Sequence, residues 1–132
     1  MDPTLSHVCS VWAAQRSNSP IYNLLVGNVT ITSATPGAIQ ARLTVKKLHT
    51  NSKCGLHGTL TACIVDWAAG MAIASHGGST TGVSTDVHIS YLASAAEGTL
   101  PFLFVEIKTT KEDGAVVVIV TGSHTKYVKA TP

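Results

Sequence analysis

One carboxylate interrupts an otherwise apolar stretch. In LTACIVDWAAGMAIA, residues 60–74, Asp66 is the only charged side chain. A buried charge without a partner is costly in free energy, so it must be neutralised, paired or put to use. Two readings therefore stand for Asp66: a structural one, in which it meets a basic side chain or backbone donors from another element, and a functional one, in which it acts as a base. The upstream dipeptide His57-Gly58 sits where this stretch would begin as a helix. The first N–H groups of a helix are unpaired, and the dipole there favours negative charge. A glycine lets a ligand carbonyl approach that backbone closely, which makes a candidate oxyanion hole for acyl transfer. Yet nine residues at a rise of about 1.5 Å separate His57 from Asp66 by about 13 Å, too far for one reacting atom. Two copies related by a two-fold axis, with these helices antiparallel, would set Asp66 of one opposite the helix start of the other. If both groups act together, the site lies at a dimer interface and occurs twice.

The elements that must position these groups follow from local signals. Asp2-Pro3 is a helix start, an N-cap followed by proline at the first helical position, and Leu5, Val8, Cys9 and Trp12 continue at helical spacing. Ser19-Pro20 repeats the signal for a short helix through Leu25, which Gly27 ends. Residues 28–34 and the segment AIQARLTVK alternate as a hairpin about the turn Thr35-Pro36-Gly37, with Ile39, Ala41, Leu43 and Val45 facing inward. The apolar stretch reads as a helix from about Gly58 to Ser75, closed by Gly77-Gly78 and apolar all round, hence wrapped by other structure. GVSTDVHISYLA reads as a strand with Val83, Val87, Ile89 and Tyr91 on one face and Ser84, Asp86, His88 and Ser90 on the other. LPFLFVEIKTT and AVVVIVTGSHTKYV read as two further strands joined by the turn KEDG. The outline is two strands, one buried helix and three strands, an α+β fold with a sheet curled round a helix.

Composition narrows the function classes. The chain has 132 residues, 45% hydrophobic and 12% charged, as expected of one globular domain. A net charge of +2 with no basic run argues against nucleic acid as the main partner. No apolar run reaches the roughly 20 residues of a membrane span. The N-terminal residues lack the pattern of a signal or transit peptide. Cys9, Cys54 and Cys63, an odd count without paired spacing, read as reduced thiols of a cytosolic protein. No set of residues has metal-ligand spacing. Asn28-Val29-Thr30 matches a glycosylation acceptor by chance.

Four ordered blocks carry a resemblance. They are His49-Thr50-Asn51 with Gly55-Leu56-His57-Gly58; Val65-Asp66; Gly82-Val83-Ser84 with Asp86 and Ile89-Ser90-Tyr91; and Gly122 with His124-Thr125-Lys126. Together they resemble the hotdog-fold acyl-CoA thioesterases, including those of phenylacetate pathways, over about nine-tenths of the chain. The resemblance implies a single hotdog domain over residues 1–132, with an N-terminal helical segment at 1–27. It makes Asp66 the general base or the nucleophile, acting on a water that Ser84 holds. The Gly58 N–H would polarise the thioester carbonyl, while Asn51 and His57 orient the thioester near its sulfur. Coenzyme A would lie along Tyr91, Leu92, Ala93, Ser94, Ala95 and Ala96 and near Tyr127, with Ser84 also at the substrate. The reaction implied is hydrolysis of an acyl-CoA, with a medium or long fatty or an aromatic acyl group, to the free acid and CoA. It uses no metal and no cofactor, coenzyme A being part of the substrate. The implied assembly is a homodimer or dimer of dimers, without membrane insertion, in the cytoplasm or alternatively in mitochondria.

The chain departs from that pattern in three places. Thr59 replaces a second glycine, and Ala95-Ala96 stand where a basic residue is common. After Gly98 the chain enters LPFLFVEI directly, about one strand and its turn short of the family pattern, in a region that carries part of the family's CoA surface. An alternative function is therefore a non-hydrolytic acyl-CoA or acyl-carrier binding or structural module; a dehydratase acting on carrier thioesters is a further one. Among other residues, His76 reads as a helix C-terminal cap. Asp86 and His88 read as strand-surface polar groups and His49 as loop structure. Cys63 reads as a small core residue. There is no GxSxG elbow for a serine triad.

Overall fold

The computed structural model describes residues 1–93, 95–96, 98–103, 106–110 and 116–127, with side chains through residue 93 and at 95, 96 and 98. Helix α1 (Pro3–Asn18) begins where the Asp2 carboxylate accepts the Leu5 N–H at 3.1 Å. Helix α2 (Pro20–Val26) starts in the same way, Ser19 Oγ accepting the Tyr22 N–H at 3.4 Å, and Gly27 caps its end. The hairpin of β1 (Thr30–Thr35) and β2 (Ala38–Val45) closes on Pro36-Gly37. Gly37 has φ +83°, the left-handed backbone that the second central position of a type II turn requires. Strand β2 alternates without a break, burying Ile39, Ala41, Leu43 and Val45.

Helix α3 (Gly58–Ala74) carries the core. Leu60, Ile64, Trp67, Ala68 and Met71 are buried with Val8 and Trp12 of α1 and the inward face of β2. At the helix end the Gly37 N–H donates to Ser75 Oγ at 2.8 Å, tying the hairpin turn to α3. Strands β3 (Val83–Tyr91), β4 (Gly98–Leu103), β5 (Glu106–Thr110) and β6 (Val116–Tyr127) complete one antiparallel sheet in the order β1-β2-β4-β5-β6-β3. Among the described residues, no helix is long and apolar enough to cross a membrane.

Two strand expectations are corrected. LPFLFVEIKTT is not one strand: Leu103 pairs with Glu106 and Phe102 with Ile107, so it forms two antiparallel strands, β4 and β5. Between the two strands the sequence has no Gly, Pro, Asn or Asp, which is why the run reads as continuous. Among the described residues four strands rather than three follow the helix, and LPFLFVEIKTT contributes to two of the six.

The second correction concerns β3. Ser84 pairs with Lys126 and Asp86 with Thr125, so Thr85 is an extra residue, a β-bulge. Directly paired residues share a face, and partners alternate along β6. Ser84, Val87, Ile89 and Tyr91 pair with residues 126, 124, 122 and 120 and therefore lie on one face. Val83, Asp86 and His88 lie on the other. The bulge thus turns Ser84 towards the helix, opposite to its assignment by simple alternation.

Candidate active site

Asp66 stands midway along α3 between α2 and β3. Tyr22 Oη donates to its Oδ2, and Ser84 Oγ donates to its Oδ1 at 3.1 Å. Each carboxylate oxygen therefore accepts from a neutral hydroxyl. Tyr22 is held in place by Trp12, whose ring lies edge-on to it with centroids 6.1 Å apart. Trp12 in turn meets Trp67 at 5.3 Å. Burial, then the Asp66 hydrogen bond and charge, raise the Tyr22 phenol well above its ordinary range. Tyr22 is thus a permanent donor at neutral pH. Cys63, one turn before Asp66, is pushed up to about 12, by burial first and then by the Asp66 charge. It is a protonated thiol, as expected of a core cysteine.

The start of α3 is clamped from several sides. His57 is the N-cap, its Nδ1 accepting the Thr59 N–H at 3.0 Å, which in the neutral ring puts the proton on Nε2. The N–H groups of Leu60 and Thr61 go to the His57 carbonyl. The Gly58 N–H has no acceptor among the described residues. Tyr91 Oη donates to the Gly58 carbonyl at 3.2 Å, and a Cβ built on Gly58 would meet the Tyr91 ring at 3.4 Å. The His57 N–H donates to the His49 carbonyl at 2.9 Å, and the Leu56 N–H to the Ala95 carbonyl at 2.7 Å.

His49 itself is 1% exposed. Its Nδ1 accepts the Lys46 N–H at 2.9 Å and its Nε2 lies 2.8 Å from the Leu25 carbonyl, so a neutral ring protonated on Nε2 satisfies both contacts. Burial holds its pKa below the usual histidine value. Asn51 folds its loop over itself: Oδ1 accepts the N–H groups of Lys53 at 2.9 Å and Gly55 at 3.1 Å, and Cys54 takes φ +60°. The Asn51 carbonyl oxygen is thereby committed to the loop, leaving the side-chain NH₂ as the group that can meet a ligand.

The structure brings Asp66 and Ser84 together at one place and Asn51, His57, Gly58 and Tyr91 near another, eight residues away along a single helix. Of the stretch expected to hold coenzyme A, Tyr91, Leu92, Ala93 and Ala96 are exposed, whereas Ala95 is buried in the core. Ser94 lies outside the described residues, and of Tyr127 only the backbone, at the end of β6, is described. Asp86, His88 and His76 are exposed. Among the described residues, no cluster of His, Cys, Asp or Glu could hold a metal. Sequence reasoning missed Tyr22. The Ser19-Pro20 signal placed it on the first turn of α2, but nothing local connects it to a carboxylate 44 positions later.

Comparisons with known proteins show the family and the fold. The profile of the Thioesterase superfamily matches residues 55–121, from the loop before α3 into β6. Human acyl-coenzyme A thioesterase 13 is 33% identical over 121 residues, covering 81% of this chain and 84% of its own length. The crystal structure of zebra fish thioesterase superfamily member 2 superposes with TM-score 0.76 at 29% identity, covering 95% of this chain and 98% of that one. That of mouse thioesterase superfamily member 2 gives 0.76 at 27% identity, covering 96% and 98%.

Proposed function

This chain belongs to the thioesterase superfamily and has the hotdog fold, and on that premise we propose that it hydrolyses an acyl-CoA to free acid and coenzyme A at sites shared between two copies. In this reading Asp66 removes a proton from a water that Ser84 holds. The water oxygen bonds to the thioester carbonyl carbon while the Gly58 N–H of the second copy takes up the charge developing on the carbonyl oxygen. The C–S bond then breaks, and the proton on Asp66 passes to the departing thiolate. Asn51 Nδ2 and His57 Nε2 orient the thioester, and Leu92, Ala93, Ala96 and Tyr127 belong to the surface that takes up coenzyme A.

The observation that carries the proposal is the Ser84–Asp66 hydrogen bond on a helix whose own start, where the Gly58 N–H has no acceptor among the described residues, is eight residues away. At about 1.5 Å per residue the two groups cannot serve one carbonyl within a chain. Strand β3 supports the second copy. It ends the sheet, and Val87 and Tyr91, on its helix-facing side, are still 42% and 57% exposed, with Leu92 beyond them at 61%. An apolar edge of this kind invites pairing with another strand. Antiparallel pairing of two such edges about a two-fold axis would bring the second α3 alongside the first.

The test is thiol release from a panel of fatty, aromatic and carrier-bound acyl thioesters, with the mass of the oligomer measured alongside. Turnover by the wild type and its loss in Asp66→Asn, with the oligomer retained, is the expected result. Binding of acyl-CoA by the wild type without turnover would replace the proposal with a binding module.

A further inference from the structure

The hydroxyl pair on Asp66 has an asymmetry that water activation by Ser84 leaves unexplained. Ser84 comes from the exposed edge strand, whereas Tyr22 comes from α2, half-buried and packed against Trp12. From the geometry we infer that Tyr22 is a positioning residue for Asp66: its hydroxyl fixes Oδ2 and so aims Oδ1, the oxygen beside Ser84, at the reacting water. The inference rests on the proposed role of Asp66 as base.

Three features argue for it. A carboxylate on a helix rotates freely about its last bond unless both oxygens are held, and only a held oxygen presents a defined lone pair to a water. The donor must itself be fixed, and Tyr22 is: the Ser19 cap sets its backbone, Trp12 sets its ring, and Trp12 rests on Trp67, the residue next to Asp66. The donor must also remain a donor, and its surroundings keep the phenol protonated. A hydrogen bond donated to a carboxylate favours its charged form, and Tyr22 donates one to Oδ2. Tyr22 from α2, Cys63 from α3 and the Ser84 hydroxyl from β3 stand beside Asp66. Cys63 stays a neutral thiol beside it.

The experiment compares Tyr22→Phe with the wild type as the full chain. Phenylalanine keeps the ring against Trp12 and removes only the hydroxyl. The Asp66 carboxyl is titrated directly by carbon NMR, assigned with Asp66→Asn, and kcat and KM are measured across pH on an acyl-CoA that the wild type turns over. The expected result is an Asp66 titration, and an acid limb of kcat/KM, moved up by about one pH unit, with kcat reduced on the order of tenfold and KM and oligomer mass unchanged. An unmoved Asp66 titration in a folded Tyr22→Phe variant would overturn the inference, as would a moved titration with unchanged kcat. A wild type that turns over no thioester would instead remove the proposed function, while the NMR titration would still report whether Tyr22 holds the carboxylate.

Discussion

Ser84 and Tyr91 both reach α3 from the same strand, one at Asp66 and the other at the carbonyl of Gly58, although seven residues separate them. On an unbroken strand an odd separation sends two side chains to opposite faces. The extra residue at Thr85 restores a common face, and so the two halves of the site are both lined by β3. Bulges that re-aim a side chain recur beside active sites, and this one has that effect on Ser84.

Ser84→Ala therefore tests whether the re-aimed hydroxyl matters. It removes one donor from Asp66 and the group proposed to hold the water. Steady-state kinetics should show kcat lowered by about tenfold or more, with oligomer mass and melting temperature close to wild type because the position is exposed. A kcat within a factor of about two would mean that Ser84 is only a surface contact.

Gly58→Pro separates the backbone N–H from the fold. Proline is favoured at the first helical position because its missing N–H is unpaired there anyway. His57 has φ −73° and ψ 133°, the extended backbone required of a residue before proline. The variant should fold, keep its melting temperature within a few degrees, and lose about 100-fold or more in kcat, the usual effect of removing an oxyanion donor. Circular dichroism and the thiol-release assay read the two halves, and full activity would exclude the Gly58 N–H from the reaction.

His49 makes the support of the helix start sensitive to acid. Its folded-state pKa is lowered by burial, so the unfolded chain takes up the proton first as pH falls below about 6.5. Protonation would also cost Nδ1 its role as acceptor of the Lys46 N–H. Urea unfolding should show stability level at and above neutral pH and falling between pH 7 and pH 5, roughly the window in which histidine titrates, with a shallower fall in His49→Asn. Equal slopes in the two proteins would rule out His49 as the source.

Much of the site is legible in the sequence because its signals are local. His57-Gly58 announces a helix start through capping and glycine. Asp66 is conspicuous as the one charge among apolar neighbours, and the distance between them follows from helix geometry alone. What escapes has non-local causes. Tyr22 meets Asp66 only because α2 docks beside α3. The orientation of Ser84 depends on a bulge set by the register with β6, which strict alternation cannot anticipate. The sequence between β4 and β5 lacks turn residues, so LPFLFVEI looks continuous until its two halves are seen pairing with each other.

The claim that each site is built from two copies is tested most directly by mixing inactive partners. Asp66→Asn and Gly58→Pro chains, each without activity alone, are co-expressed and purified together. If Asp66 of one copy works with the helix start of the other, a mixed dimer holds one site with both groups intact. Random assembly should then restore about a quarter of wild-type activity per chain. Activity no greater than that of the two variants measured separately, in a preparation shown by mass to contain mixed dimers, would contradict a shared site.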